Sequence, residues 1–341
     1  MRLGAQFLAQ DFPEYMESVA KAEKAGYEFA WLIDSQLLWQ DVFVYLTRGL
    51  AATDRIVFGT AVTNPRTRHV TATASAFATL GQMHPGRMVL GIGRGDSAVR
   101  PMGMRPARTH ELGDAIVQLR ELMAGRSVDV NDTDVHLRWV HEDVGVPIMS
   151  SATGPRNLRQ AGALSDRVML YLGVTPEAVS WGVDHVRAGA REAGRNPDDV
   201  KISILTAMRV SDDQEAAWAA CRWSPAACAN HIADMSRYTA DHRMPEVMMR
   251  LITARDKYDY YAGHLDSNAE HTEYLTGELV DDFAIAGPPG KCLEKLRQLA
   301  DLGVDEVSVA YLNGELEQME LVGREIVPAL AAMTTTVSAT Q

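Results

Sequence analysis

The chain has 341 residues, 46% apolar and 23% charged, with a formal net charge of −12. This is an ordinary globular composition, and the acidic balance argues against nucleic acid or an anionic membrane surface as the main partner while leaving room for a local anion pocket. Cys221, Cys228 and Cys292 form no C-x-x-C pair, which argues against zinc or a disulfide framework and for free thiols in a reducing, cytoplasmic setting.

In chain order, "RLGAQFL" reads as a strand and "PEYMESVAKAEKAG" as a helix, with proline near its start and Gly26 at its end. "FAWLID" with "VFVYLTRGLAATD", "RIVFGTAV" with "VTATASAFATLGQM", and "GRMVLGIG" with "HELGDAIVQLRELMAG" repeat the strand–helix alternation. After Gly125 the rhythm breaks. "RSVDVNDTDVHLRWV" alternates around the turn "NDTD" and predicts an inserted hairpin. The alternation resumes with "VPIMSS", "NLRQAGAL", "RVMLYL", "PEAVSWGVDHVRAGAREAG", "VKISILTAMRV" and "DDQEAAWAACRW". Residues from about 224 to 279, rich in Met, Tyr and His, predict a helical insertion before the last strand, "VDEVSVAYL", and its closing helix.

Eight strand–helix units predict a (β/α)8 TIM barrel of the α/β class rather than the alternative, an open doubly wound sheet. The expected organisation is one domain over residues 1–333 with a polar tail at 334–341. No apolar run approaches membrane-spanning length, and the first strand is too short for a signal peptide.

In a barrel of this kind, functional groups lie just past the C-terminal strand ends. Asp34 opens "DSQLLWQD", which also holds Trp39; it places a charge beside a flat ligand or caps the following turn. Gly59, Thr60 and Ala61 are small, as close approach of a planar ring or tight barrel packing requires. In "VLGIGRGDSAV", Gly91, Gly93 and Gly95 precede Asp96, and the third glycine comes one residue early for a dinucleotide-binding G-x-G-x-x-G. "SSATGPRNL" leads small residues into a helix expected at Asn157, whose free amides suit a phosphate. His231, His242, His264 and His271 show no metal-ligand spacing, so no metal is expected. The Met and Tyr of the insertion suit a planar substrate, a helical core or a dimer contact.

"GTAVTNPRTRHVTATASAFATLGQMHPGRMVLGIGRGDSA" resembles the strand-three to strand-four core of the luciferase-like hydride transferases and monooxygenases, and most of all the branch that uses the deazaflavin coenzyme F420. "SATGPRNLRQAGALSDRVML" and "DDFAIAGPPGKCLEKLRQLADLGVDEVSV" resemble that family's fifth, sixth and C-terminal units. The resemblance implies a cytoplasmic, homodimeric oxidoreductase that moves hydride between F420 and a small organic substrate at the barrel rim. It implies a non-prolyl cis peptide at Ala61–Val62 behind the ring, with Asp34, Gly59, Thr60, Thr63, Asn64 and Gly93 around the head. Ser151, Ala152, Thr153, Gly154 and Asn157 would hold the phosphate end. Arg66 and Arg68 are candidates for the cofactor's polyglutamate tail.

Gln6, Trp39 and Asp96 would face the substrate, with Asp96 handling the proton and Asp34 as second candidate. Either carboxyl would need a raised pKa to act as an acid near neutral pH. Two departures separate this chain from known branches. Ser35 follows Asp34 where the family's glucose-6-phosphate dehydrogenases have histidine, and Gln6 stands where its methanopterin reductases have glutamate. The alternatives are an FMN-dependent monooxygenase of the same superfamily and a cofactor-free binding or regulatory barrel.

Overall fold

The computed structural model describes residues 1–233, 244–254, 258–311 and 315–331; His242 and the tail at 334–341 lie outside the described residues. The first four strands, β1 (Arg2–Phe7), β2 (Phe29–Leu32), β3 (Val57–Thr60) and β4 (Met88–Ile92), lie side by side in parallel. Next come β5 (Val128–Asp129) and β6 (Asp134–Val135), the expected antiparallel hairpin. The barrel continues with β7 (Ile148–Ala152), β8 (Arg167–Leu170) and β9 (Lys201–Val210) and, after β10 (Ala284–Gly287), ends with β11 (Glu306–Ala310). β11 pairs with both β9 and β1, and β8 with β9, so eight parallel strands close a ring.

β10 was not anticipated, because "AIAG" reads as a lead-in to the next helix. The strand lies outside the ring and pairs Ala284 to Ala207 through Gly287 to Val210. β9 has ten residues. Its second half overhangs the barrel, and β10 satisfies the backbone groups exposed there.

The helices are α1 (Phe12–Ala25), α2 (Val42–Ala52), α3 (Val70–Met83), α4 (Thr109–Met123), α5 (Pro155–Leu164), α6 (Pro176–Glu192) and α7 (Gln214–Cys221). α8 (Trp223–Ala233), α9 (Glu246–Ala254), α10 (Tyr260–Gly263) and α11 (Gly277–Phe283) form the insertion, followed by α12 (Pro289–Asp301) and α13 (Leu316–Glu325). Local chemistry sets their ends. Asp11 accepts from Glu14 N at the start of α1, and Gly26, at φ 90°, takes the left-handed position that ends it. α5 starts at Pro155 rather than at Asn157, because proline at the first helical position has no N–H to lose.

Inside the barrel, Phe29, Trp31, Ala61, Val89, Met149 and Met169 pack together. The first residues of β8 and β11, Arg167 and Glu306, meet there as a buried ion pair. Glu306 also accepts from Trp31 Nε1 at 2.7 Å and from Ser203 Oγ at 3.1 Å. Its charge is therefore both paired and hydrogen-bonded, as burial requires.

α5 and α6 cross at a pair of glycines. A Cβ at Gly189 would lie 1.9 Å from the Arg159 carbonyl oxygen, a backbone atom that cannot move alone. Gly189→Ala is therefore expected to destabilise the protein by about 2–3 kcal/mol. The check is the urea midpoint, and an unchanged midpoint contradicts the close crossing.

Candidate functional site

A cleft of about 560 Å³ opens beyond the C-terminal strand ends. Gln6, Asp34, Ala61, Val62, Asn64, Gly93 and Asp96 line it, as do Ser151, Ala152, Thr153, Gly154 and Asn157. Gly59, Thr60, Thr63 and Trp39 are not among its lining residues. At Gly59 a Cβ would sit 2.4 Å from Trp31 Cζ3, so the small residue there makes room for the buried tryptophan. Thr60 Oγ1 donates to Gly91 O at 2.6 Å, which ties β3 to β4. Thr63 Oγ1 donates to Asp34 Oδ2 at 2.7 Å. The Trp39 ring lies 5.6 Å from that of His264, which lines the cleft.

At one end the chain makes a bulge after β3, where the Ala61–Val62 peptide is cis. Gln6 Nε2 donates to Ala61 O at 3.1 Å, so this side chain anchors the bulge. Asn64 is 2% exposed, and its Oδ1 accepts from Arg66 N at 2.9 Å and Thr67 N at 3.0 Å. Its Nδ2 is buried with no partner among the described residues. Asp34 is bound by Thr63 and Arg68 rather than capping its own turn. Burial pushes the Asp34 carboxyl above the usual range, against the pull of Arg68 and Thr63.

Arg68 is fully engaged. It pairs with Asp34, reaches Asp41 at 2.9 Å, and lies 4.7 Å from the centre of the Phe43 ring. Its two terminal nitrogens are thus turned to carboxylates of the chain itself. Arg66 keeps a buried Nε without a partner.

At the other end the first turn of α5 faces the cleft. Its N-cap, Gly154, has no side chain to bond the open amides, and Arg108 and Arg156 flank the same space. Asn157 Oδ1 accepts from Thr109 Oγ1 at 2.7 Å. Open amides at a helix start beside guanidinium groups suit an anion.

The third region joins the β4 loop to the insertion. Asp96 accepts from Arg100 Nε at 2.5 Å and from Tyr260 Oη at 2.5 Å, with Asn230 Nδ2 at 3.4 Å and His231 Nδ1 at 3.8 Å. Burial alone would raise its pKa, but His231, Tyr260 and Arg100 outweigh it and hold the carboxyl below the usual value. That is the opposite of what a proton-donating Asp96 requires. His264 also lines the cleft, and burial pushes its imidazole down to about 3. Ser35, in place of a histidine, meets Ser97 Oγ at 2.6 Å and ties two rim loops together.

Of these partners only Arg100, four residues past Asp96, carries a sequence signal. Tyr260, Asn230 and His231 arrive from the insertion, more than 130 residues away. His231 and His264 of the insertion line the cleft, and no group of three or more potential metal ligands occurs among the described residues. Nor is any described helix long and apolar enough to cross a membrane.

The sequence profile of the luciferase-like monooxygenase family matches residues 2–306. The 5,10-methylenetetrahydromethanopterin reductase of Methanopyrus kandleri is 28% identical, over 95% of this chain and 97% of its own length. An F420-dependent glucose-6-phosphate dehydrogenase of Microbacterium testaceum is 26% identical, over 97% of each chain. Among solved structures, the coenzyme F420-dependent tetrahydromethanopterin reductase from Methanopyrus kandleri superposes with a TM-score of 0.77 at 23% identity, covering 96% of this chain and 98% of that one.

Proposed function

Because the chain belongs to the luciferase-like family, with relatives named as F420-dependent reductases and dehydrogenases, we propose that it is an F420-dependent oxidoreductase. The reaction is hydride transfer between the deazaflavin and a small organic substrate at the barrel rim. The observation that carries this reading is the buried, unpartnered Nδ2 of Asn64 beside the Ala61–Val62 bulge. A buried donor without an acceptor costs roughly 1–3 kcal/mol, and the pyrimidine carbonyls of a deazaflavin offer such an acceptor. At the far end, the α5 amides with Arg108 and Arg156 suit the cofactor's phosphate.

When bound, the deazaflavin supplies the hydride chemistry; the protein's own residues position and shield. The bulge, braced by Gln6, would back the ring, and Trp223 and Leu265 of the insertion would close the open side against water. The Asp34 carboxyl, held by Thr63 and Arg68, would orient polar groups at the head.

The test is a titration with oxidised F420 and, separately, with FMN. Tighter binding of F420 is expected, whereas preference for FMN moves the chain to the monooxygenase reading and binding of neither to a cofactor-free barrel. Asn64→Asp keeps the turn's acceptor and replaces the donor with a second acceptor. It is expected to weaken F420 binding by about tenfold or more; unchanged affinity removes Asn64 from the cofactor site.

A further inference from the structure

Arg100 and Tyr260 hold the Asp96 carboxylate, and Arg68 and Thr63 hold that of Asp34, whereas His231 presents a ring to the open cleft. We propose that His231, on α8 of the insertion, is the catalytic acid and base, with Asp96 as its positioning residue. This rests on the oxidoreductase reading above.

His231 lines the cleft with its side chain 34% exposed, so it reaches both a bound substrate and solvent. Its Nδ1 lies 3.8 Å from Asp96 Oδ2, and its ring packs edge-on against Tyr171 at 5.6 Å. Arg100 and Tyr260 hold the carboxylate at 2.5 Å each, and Asn230 links Tyr260 to it. A carboxylate fixed beside Nδ1 favours the tautomer with the proton there and leaves Nε2 as the exchanging nitrogen. Nε2 has no hydrogen-bond partner among the described residues.

The other cleft imidazole, His264, is unsuited: its Nδ1 lies 2.5 Å from Tyr258 Oη and burial keeps it uncharged. Among the described residues, the charged and titratable groups around His231 are Asp96 and Arg100 from the β4 loop, Tyr171 past β8, and Tyr260 and His264 from the insertion. In substrate reduction, the Nε2–H bond breaks as a bond from that proton to the substrate's acceptor atom forms. Reduced F420 would supply the hydride to the neighbouring carbon, and imidazolium becomes imidazole. Asp96 stays ionised throughout, and water returns the proton to the exposed ring. Substrate oxidation runs the same step backwards.

Full-length protein labelled with 15N-histidine tests the pair directly, with His231 assigned by its loss in His231→Ala. The proposal expects the Nδ1–H tautomer in the wild type and its loss in Asp96→Ala. His231→Ala, assayed with reduced F420 and cyclohex-2-en-1-one, is expected to lose about a hundredfold in kcat. Added imidazole should recover part of that loss, and F420 affinity should stay within about threefold. A wild-type Nε2–H tautomer overturns the proposal, as does a kcat that survives in His231→Ala. Failure of the wild type to bind F420 instead sinks the oxidoreductase reading, and this step with it, even if the tautomer is as expected.

Discussion

Arg68→Ala is expected to destabilise the protein by roughly 3–5 kcal/mol at pH 8 and by clearly less at pH 5. Asp34 is 3% exposed, and Arg68 is the largest influence lowering its pKa. Without the guanidinium, Asp34 is a buried carboxyl with only Thr63 as partner. Its folded pKa already lies above the ordinary value because of burial, and the substitution moves it further up. A group raised in this way contributes stability below its unfolded pKa and loses it as pH rises through the folded pKa. In the variant this window reaches higher pH, so the deficit grows from pH 5 to pH 8. Asp34→Asn in the same chain should recover much of the loss, because a neutral amide still accepts from Thr63. Urea unfolding of the wild type and both variants at both pH values is the measurement. An equal deficit at both, or a double variant no better than the single, contradicts the pairing.

The same pair shows where the sequence could be read and where it could not. Asp34 stands at the end of an apolar strand, and the barrel rule points to it there. Arg68 belongs to an arginine cluster thirty-four residues on. Nothing local distinguishes a guanidinium that folds back onto a carboxylate from one that faces solvent. The barrel itself was legible because each strand–helix unit carries its own change of period and its own caps. β10 was not, since a four-residue stretch with one large side chain, Ile285, before two prolines has no pattern until the overhang of β9 gives it a partner.

At the rim, the small residues that lead through Gly154 into α5 were legible in the sequence, whereas Asn64 and the cis peptide at Ala61–Val62 were expected only from the family resemblance. The surroundings of Asp96 were not legible, because they are assembled from the β4 loop and a distant helical insertion. Burial argued for a raised carboxyl there. The charges and hydroxyl that reverse the shift come from contacts no spacing encodes.

Gly93→Val is expected to weaken F420 binding by about a hundredfold or more while leaving the fold intact. The argument turns on what each glycine of "GIGRG" is for. A Cβ at Gly91 would lie 1.7 Å from Thr60 O, so that glycine is required by strand packing. Gly95 has φ +84° and is required by the turn. Gly93 meets neither demand: its Cβ would lie 2.8 Å from Val62 Cγ2, the end of a half-buried side chain, and 3.8 Å from Ser151 O. Val62 has cleft space to move into, so the strain is modest, about 1 kcal/mol. The Gly93 N–H bond to Thr63 O, 2.9 Å long, does not involve the side-chain position. What the new methyl groups take is the floor of the cleft beside the bulge, where the deazaflavin ring is proposed to lie. Far-UV circular dichroism and the urea midpoint report the fold, and an F420 titration reports the site. A Gly93→Val protein that unfolds like Gly91→Ala would mean that this glycine, too, serves packing. A folded one that binds F420 as the wild type does would mean that the ring lies elsewhere.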